Sequence, residues 1–418
     1  MTLEAPLLEP PQFTRYQTAT GSLSTLLIKV SFVNLFLLAA VGVLLRTFPM
    51  LPQIPFTYLN LLHGHSHFAF GGWLMPVILA LLLQSFPHLS GRIKTFHWRV
   101  VSVLVLFSAY GMLIVFPFQG YKPLSIVFST LSVLSSFYVA VLLWKASGFM
   151  RSTTARKFLR AGVVYLVLSA IGPFATGPLV AMGKAGSPLY YDAIYFYLHF
   201  QYNGWFSFIA FSLFYNRVEH TGRANNGSIV FLLLNLSCVP AYFLSTLWHQ
   251  PSLVLNFIGG MAALLQVVAA FYLFRDVSKC KLRHLLTRRI IHFSFSALAV
   301  KFLLQLLSAF PVVAAMAYEN RNWTIAYLHL VLIGFISFFI VGCVVQQFEL
   351  SLKNMRIGAA LFSTGFIATE LLLVAEPTAR LLFGYAIPQY AKLLLIFSLF
   401  LLAGAGYFVK QLVHLKKF

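Results

Sequence analysis

Acidic residues are scarce in this chain, with nine Asp and Glu in 418 residues against 30 Lys and Arg. All charged residues together make up 9% of it, where soluble domains carry about 25%. That is too little charge to cover a soluble globule of this length, and too much apolar surface for a disordered chain. Cysteine is scarce as well. Cys238, Cys280 and Cys343 lie far apart and form no CxxC pair, so no disulfide framework is read from them. The first 20 residues are polar and rich in proline, with no apolar core, so no cleavable signal peptide is expected.

Apolar residues dominate, at 60% with a mean hydropathy of +0.84, and include 43 Phe, 19 Tyr and 6 Trp. A membrane-spanning helix needs about 20 mainly apolar residues. Twelve such runs occur, at roughly 22–45, 57–84, 99–118, 124–146, 158–181, 190–215, 228–248, 252–274, 288–312, 323–347, 355–375 and 388–412. The net charge of +21 sits mostly in the short loops between these runs, which argues against nucleic acid as a partner and for membrane lipids. One set of loops with the two termini holds 22 Lys and Arg, and the opposite set holds 6. The positive-inside bias then places both termini in the cytoplasm. The expected architecture is all-α: residues 1–21 as a cytoplasmic segment and 22–418 as one twelve-helix transmembrane domain.

One short pattern recurs three times. The second run holds His67, then four residues, then Gly72 and Trp73. The sixth holds His199, Gly204 and Trp205, and the tenth holds His329, Gly334 and Phe335, at the same spacing. The three histidines are 132 and 130 residues apart, with four spans in each interval. The chain therefore reads as three four-helix arcs related by a pseudo-three-fold axis. Each His falls about 10–15 Å below the outer edge at 1.5 Å per residue.

Imidazole in lipid is costly unless paired, and it is the commonest metal ligand. His63, His65, His67, His199 and His329 lie at one level and point to a bound metal or heme. His63 and His67 are four residues apart and share a helix face. His65 points about 160–200° away from them. His199 and His65 are the candidates for a separate metal ion. A transporter reading fits less well, because that class shows a two-fold repeat with a site at the midplane.

These residues resemble subunit I of the heme–copper oxidase superfamily, which includes cytochrome oxidases and nitric-oxide reductases. The likeness covers the chain in topology and three helices in motif: LLHGHSHFAFGGW, YFYLHFQYNGWFSF and WTIAYLHLVLIGF. It implies one low-spin heme, of b type, between the second and tenth spans. His329 takes one axial position. For the other, the family motif selects His63 and the internal repeat selects His67. His199 matches the first copper ligand. The family's His-x-His is Tyr327-Leu328-His329 here, so Tyr327 stands where the active-site heme would have its ligand. The adjacent His-His pair of the seventh span is missing, and His249 at the outer edge is the only histidine there. The implied binuclear centre is therefore incomplete. The resemblance implies electron transfer or diatomic-gas and redox handling, with a cytochrome c-type or other electron-donor subunit as partner. If the chain is an enzyme, it is an oxidoreductase of that type. The alternative is a non-enzymatic protein that binds, delivers or senses metal or heme. The implied location is a bacterial inner membrane.

Two further ionisable residues fall inside spans. Lys301 lies in SALAVKFLLQLL and Glu370 in FIATELLLVAEP. An intramembrane charge is a functional candidate by default, and a Lys301–Glu370 pair is one way to hold both.

Overall fold

Helix is the only regular structure among the described residues, as expected for a lipid interior that offers the backbone no hydrogen bonds. The computed structural model describes residues 11–51, 56–86, 93–220, 225–249, 252–348 and 350–413. Residues 1–10 of the N-terminal segment, and the loop cations Arg92, Arg223, Lys416 and Lys417, lie outside them. The helices are α1 (Pro11–Thr47), α2 (Tyr58–Ser85), α3 (Thr95–Gln119), α4 (Pro123–Ser147), α5 (Thr153–Ala181) and α6 (188–220). They continue as α7 (Gly227–Cys238), α8 (Leu253–Lys279), α9 (Leu285–Leu307), α10 (Arg321–Gln347), α11 (Leu352–Phe383) and α12 (Tyr390–Val413). A short helix, Pro311–Glu319, connects α9 to α10.

Local sequence explains the starts. Thr57, Ser152, Ser187 and Ser252 each accept a hydrogen bond from a first-turn backbone N–H, and α6 opens with Pro188. Gly384 ends α11 in the left-handed conformation, at φ 71°.

Among the described residues, ten helices are long and apolar enough to cross a membrane. They correspond to every predicted span except the sixth and seventh. The sixth is a continuous helix but a polar one, because His199, Gln201 and Asn203 sit in its middle. The seventh stops early. Its α-helix ends at Cys238, and 3₁₀ turns follow at Pro240–Ser245 and Leu247–His249. Pro240 has no N–H for the helical ladder, and its ring clashes with the preceding turn.

Burial sorts the helices into inner and outer. Of the most apolar stretch, 89% is buried in α2 and 67% in α10, against 28–50% in the other eight. Residues 199–216 of α6 are all buried. These three helices touch one another, while α12 packs on both α11 and α1. The outer helices expose large apolar side chains such as Phe107 and Phe118 on α3, Phe271 on α8 and Leu371 on α11, the surface a lipid-facing helix presents. The chain is an integral membrane protein.

The internal repeat has a conformational counterpart. α2, α6 and α10 each contain a π-helical segment, at Ala69–Leu74, Phe200–Phe206 and Leu330–Ser337. Each begins one or two residues after the repeat histidine. A π segment shifts the backbone ladder by one residue and often marks a functional site. Side chains then take up displaced carbonyls. The Ser207 hydroxyl donates to Tyr202 O at 2.5 Å, and the Ser337 hydroxyl donates to Leu332 O at 2.7 Å. Ser294 of α9 donates to Phe335 O at 2.7 Å. In α2, Pro76 offers no N–H to Gly72 one turn back. Asn34 of α1 donates to that carbonyl at 2.7 Å and accepts from the Tyr110 hydroxyl of α3 at 2.5 Å. The repeat aromatics Trp73, Trp205 and Phe335 are all buried, and the Trp73 indole N–H donates to Ser337 Oγ at 2.9 Å.

The repeat glycines permit this packing. A Cβ on Gly204 would lie 2.5 Å from Tyr165 Cβ, and one on Gly334 would lie 2.7 Å from Phe366. Two outcomes follow. Gly204→Ala should cost about 1–3 kcal/mol by overpacking, seen as a lower melting temperature in detergent. Gly177→Ala, which meets nothing within 4 Å, should leave it unchanged or raised. Asn34→Leu should destabilise by about 1–3 kcal/mol through the orphaned Gly72 carbonyl. Adding Pro76→Ala, which returns a backbone donor, should recover part of that loss. Simple additivity of the two changes would contradict the account of Gly72.

Candidate functional site

The five candidate histidines separate into three environments. His63 and His67 share a face, as their spacing requires, and that face meets α3. The His67 ring stacks on Phe116 at 4.7 Å, and its Nε2 is 2.8 Å from the Tyr121 hydroxyl. The His63 ring lies 4.8 Å from Tyr121, edge on. Gly64, on the same side of α2, lets Pro117 approach; a Cβ there would lie 3.3 Å from it.

His65 points the other way, toward α1 and α10. Its ring rests against Gly42, where a Cβ would lie 3.4 Å from its Cε1. His329 and Arg46 are both within electrostatic reach of it. Its Nδ1 is buried with no hydrogen-bond partner. An unsatisfied polar atom in such a place costs about 1–3 kcal/mol, and the same ring also hydrogen-bonds the Leu38 backbone on α1.

His329 is held from α11. Its Nδ1 lies 3.3 Å from Glu370 Oε1, and Arg46 is within reach of the same carboxylate. The Nδ1–H···carboxylate bond leaves Nε2 as the free lone pair, the arrangement in which a carboxylate orients a metal-ligating histidine. This corrects one expectation, because Glu370 partners His329 and not Lys301. Tyr327 does not join this group. Its ring lies 6.1 Å from that of Tyr202 on α6. The structure thus brings His329 together with His65, Glu370 and Arg46, and turns His63 and His67 to a different neighbour.

His199 forms the third environment, fully buried in α6. Its Nε2 donates to the Cys238 carbonyl at 2.8 Å, and its Nδ1 accepts from Asn203 Nδ2 at 3.0 Å. Both ring nitrogens are therefore engaged by protein. No three His, Cys, Asp or Glu side chains come together to hold a metal ion among the described residues. His249 lies in the 3₁₀ turn at the outer end, with its Nε2 3.1 Å from Asp192 Oδ2.

Arg46, Asn34 and Asn203 were not singled out by the sequence. Arg46 counted only as one of six outer loop cations, Asn34 lies in an apolar run with no local pattern around it, and Asn203 is one of the unspecified residues between His199 and Gly204 of the repeat. Their roles arise from helices far apart in sequence.

Comparison with protein-family models and with curated proteins finds no match.

His199 ties α6 to the end of α7 through the Cys238 carbonyl. His199→Phe should leave the Cys238 carbonyl and the Asn203 amide unpaired and destabilise the protein by about 1–3 kcal/mol. Thermal unfolding of the purified variant checks this. An unchanged melting temperature would argue that the histidine is held for another purpose.

Proposed function

We propose that the chain is a heme-binding, electron-transferring membrane protein of the heme–copper oxidase subunit I type, with twelve spans in three four-helix arcs and both termini in the cytoplasm. The observation that carries this reading is the recurrence of a π segment directly after the repeat histidine on α2, α6 and α10. Three separate insertions at one repeat position point to a triplicated unit, and the inner placement of those helices supports three arcs around them.

Two histidines between α2 and α10 would hold a heme. His65 has a buried, unpartnered ring nitrogen. His329 has its Nδ1 held by Glu370, which leaves Nε2 to ligate. Gly42 leaves the edge of the His65 ring uncrowded, and Arg46 supplies a cation for carboxylate groups beside it. His65 and His329 would hold such a heme, in place of the His63 or His67 that the sequence motifs selected. A heme held by these two residues would supply one-electron transfer. Glu370 then fixes the tautomer and direction of the His329 ring, and Arg46 offsets the Glu370 charge. With both His199 nitrogens bound to protein, nothing here assembles the family's copper set, and oxygen reduction is not part of the proposal. The electron partner is a cytochrome c-type or similar donor.

The absorbance spectrum of the purified protein, oxidised and dithionite-reduced, tests this. Sharp reduced α-bands are expected, with no robust cyanide-sensitive oxygen uptake. His65→Ala and His329→Ala should lose the low-spin spectrum, while His63→Ala and His67→Ala should keep it. Full heme content with an unchanged spectrum in His329→Ala would overturn the assignment. Heme-free protein carrying zinc or copper would favour the metal-binding alternative.

A further inference from the structure

Lys301 is 2% exposed in the middle of α9, with Cys238 of α7 within electrostatic reach of it. Its ammonium lies 4.4 Å from the centroid of the adjacent Phe302 ring. Beside it, α6, α7, α8 and α9 enclose a cavity of about 10 Å³. Asn203, Ser207, Cys238, Gln266 and Lys301 supply its polar lining. That volume is the room one water molecule needs.

The polar atoms around the cavity are unbalanced in a specific way. Asn203 Oδ1 and Gln266 Oε1 are buried acceptors with no partner. Ser207 already donates to Tyr202 O. Lys301 therefore brings donors, and the two amides bring unfilled acceptors. A buried water makes about three hydrogen bonds.

We propose that this cavity is a binding site for a single water molecule. The water accepts from Lys301 Nζ and donates to the amide oxygens of Asn203 and Gln266. The count closes, with one donor and two acceptors around a space for one water. The site also completes a chain. With its Oδ1 held by the water, the Asn203 amide must turn its Nδ2 toward His199 Nδ1, where the 3.0 Å contact lies. His199 then carries its proton on Nε2, which donates to the Cys238 carbonyl. Lys301 is thus a positioning residue that sets the tautomer of His199 across α9, α6 and α7 through the water.

A high-resolution structure of the purified full-length protein in lipid nanodiscs tests this. One ordered peak should appear about 3 Å from Lys301 Nζ, Asn203 Oδ1 and Gln266 Oε1. In Lys301→Met the peak should be lost, and the ¹⁵N spectrum of His199 should change from the Nε2-protonated tautomer to a mixture. Should that variant fail to fold, Gln266→Leu removes one acceptor without touching the lysine and should likewise lose the peak. An empty cavity in a wild-type map that resolves other buried waters would overturn the proposal. So would a peak that persists in the variants, or a His199 tautomer that ignores them.

Discussion

The membrane interior demands that every backbone polar group find its partner within the protein, and the rest of the structure depends on how three inner helices meet that demand. A π segment displaces carbonyls from the regular ladder. In α2, α6 and α10 the displaced groups are taken by Asn34, Ser207, Ser294 and Ser337. Asn34 and Ser294 come from neighbouring helices, so the irregularities in α2 and α10 also lock a helix pair. The repeat glycines allow those neighbours to close in, and the buried aromatics fill the remaining space. The histidines one or two residues before each π segment inherit a defined depth and direction.

The histidines at the repeat spacing differ in their partners. His199 spends both nitrogens on the protein, one on the Cys238 carbonyl and one on Asn203. The Cys238 carbonyl is free for it because α7 ends there, ahead of Pro240. His329 keeps one nitrogen free because Glu370 takes the other. His67 has moved out of the set altogether, against Phe116 and Tyr121, and His65 occupies the position facing α10. One repeat position therefore carries a structural histidine, a partnered one and a displaced one.

Much of the fold was legible in the sequence because hydropathy and length alone define a span. Ten of the predicted runs are long apolar helices, and the His-Gly-aromatic spacing located all three π segments without announcing them as such. The break in α7 was less legible, because the apolar run continues through Pro240 while the helix does not. In the site, the 100° turn per residue correctly separated His65 from His63 and His67. It could not say which face looks toward α10. That depends on the rotation of α2 about its axis, which Pro117 on Gly64 and Asn34 on Gly72 set from other helices. Glu370 met His329 and not Lys301 for the same reason: partners on different helices are chosen by packing, and spacing along one helix carries no record of it.

The central claim is that α2 and α10 present His65 and His329 to one shared ligand. An experimental structure of the protein purified with its native pigment tests it most directly. The account predicts ligand density held by these two imidazoles, with Glu370 still on Nδ1 of His329. Density held by His63 or His67, or a His65 packed directly on His329 with nothing between them, would contradict it.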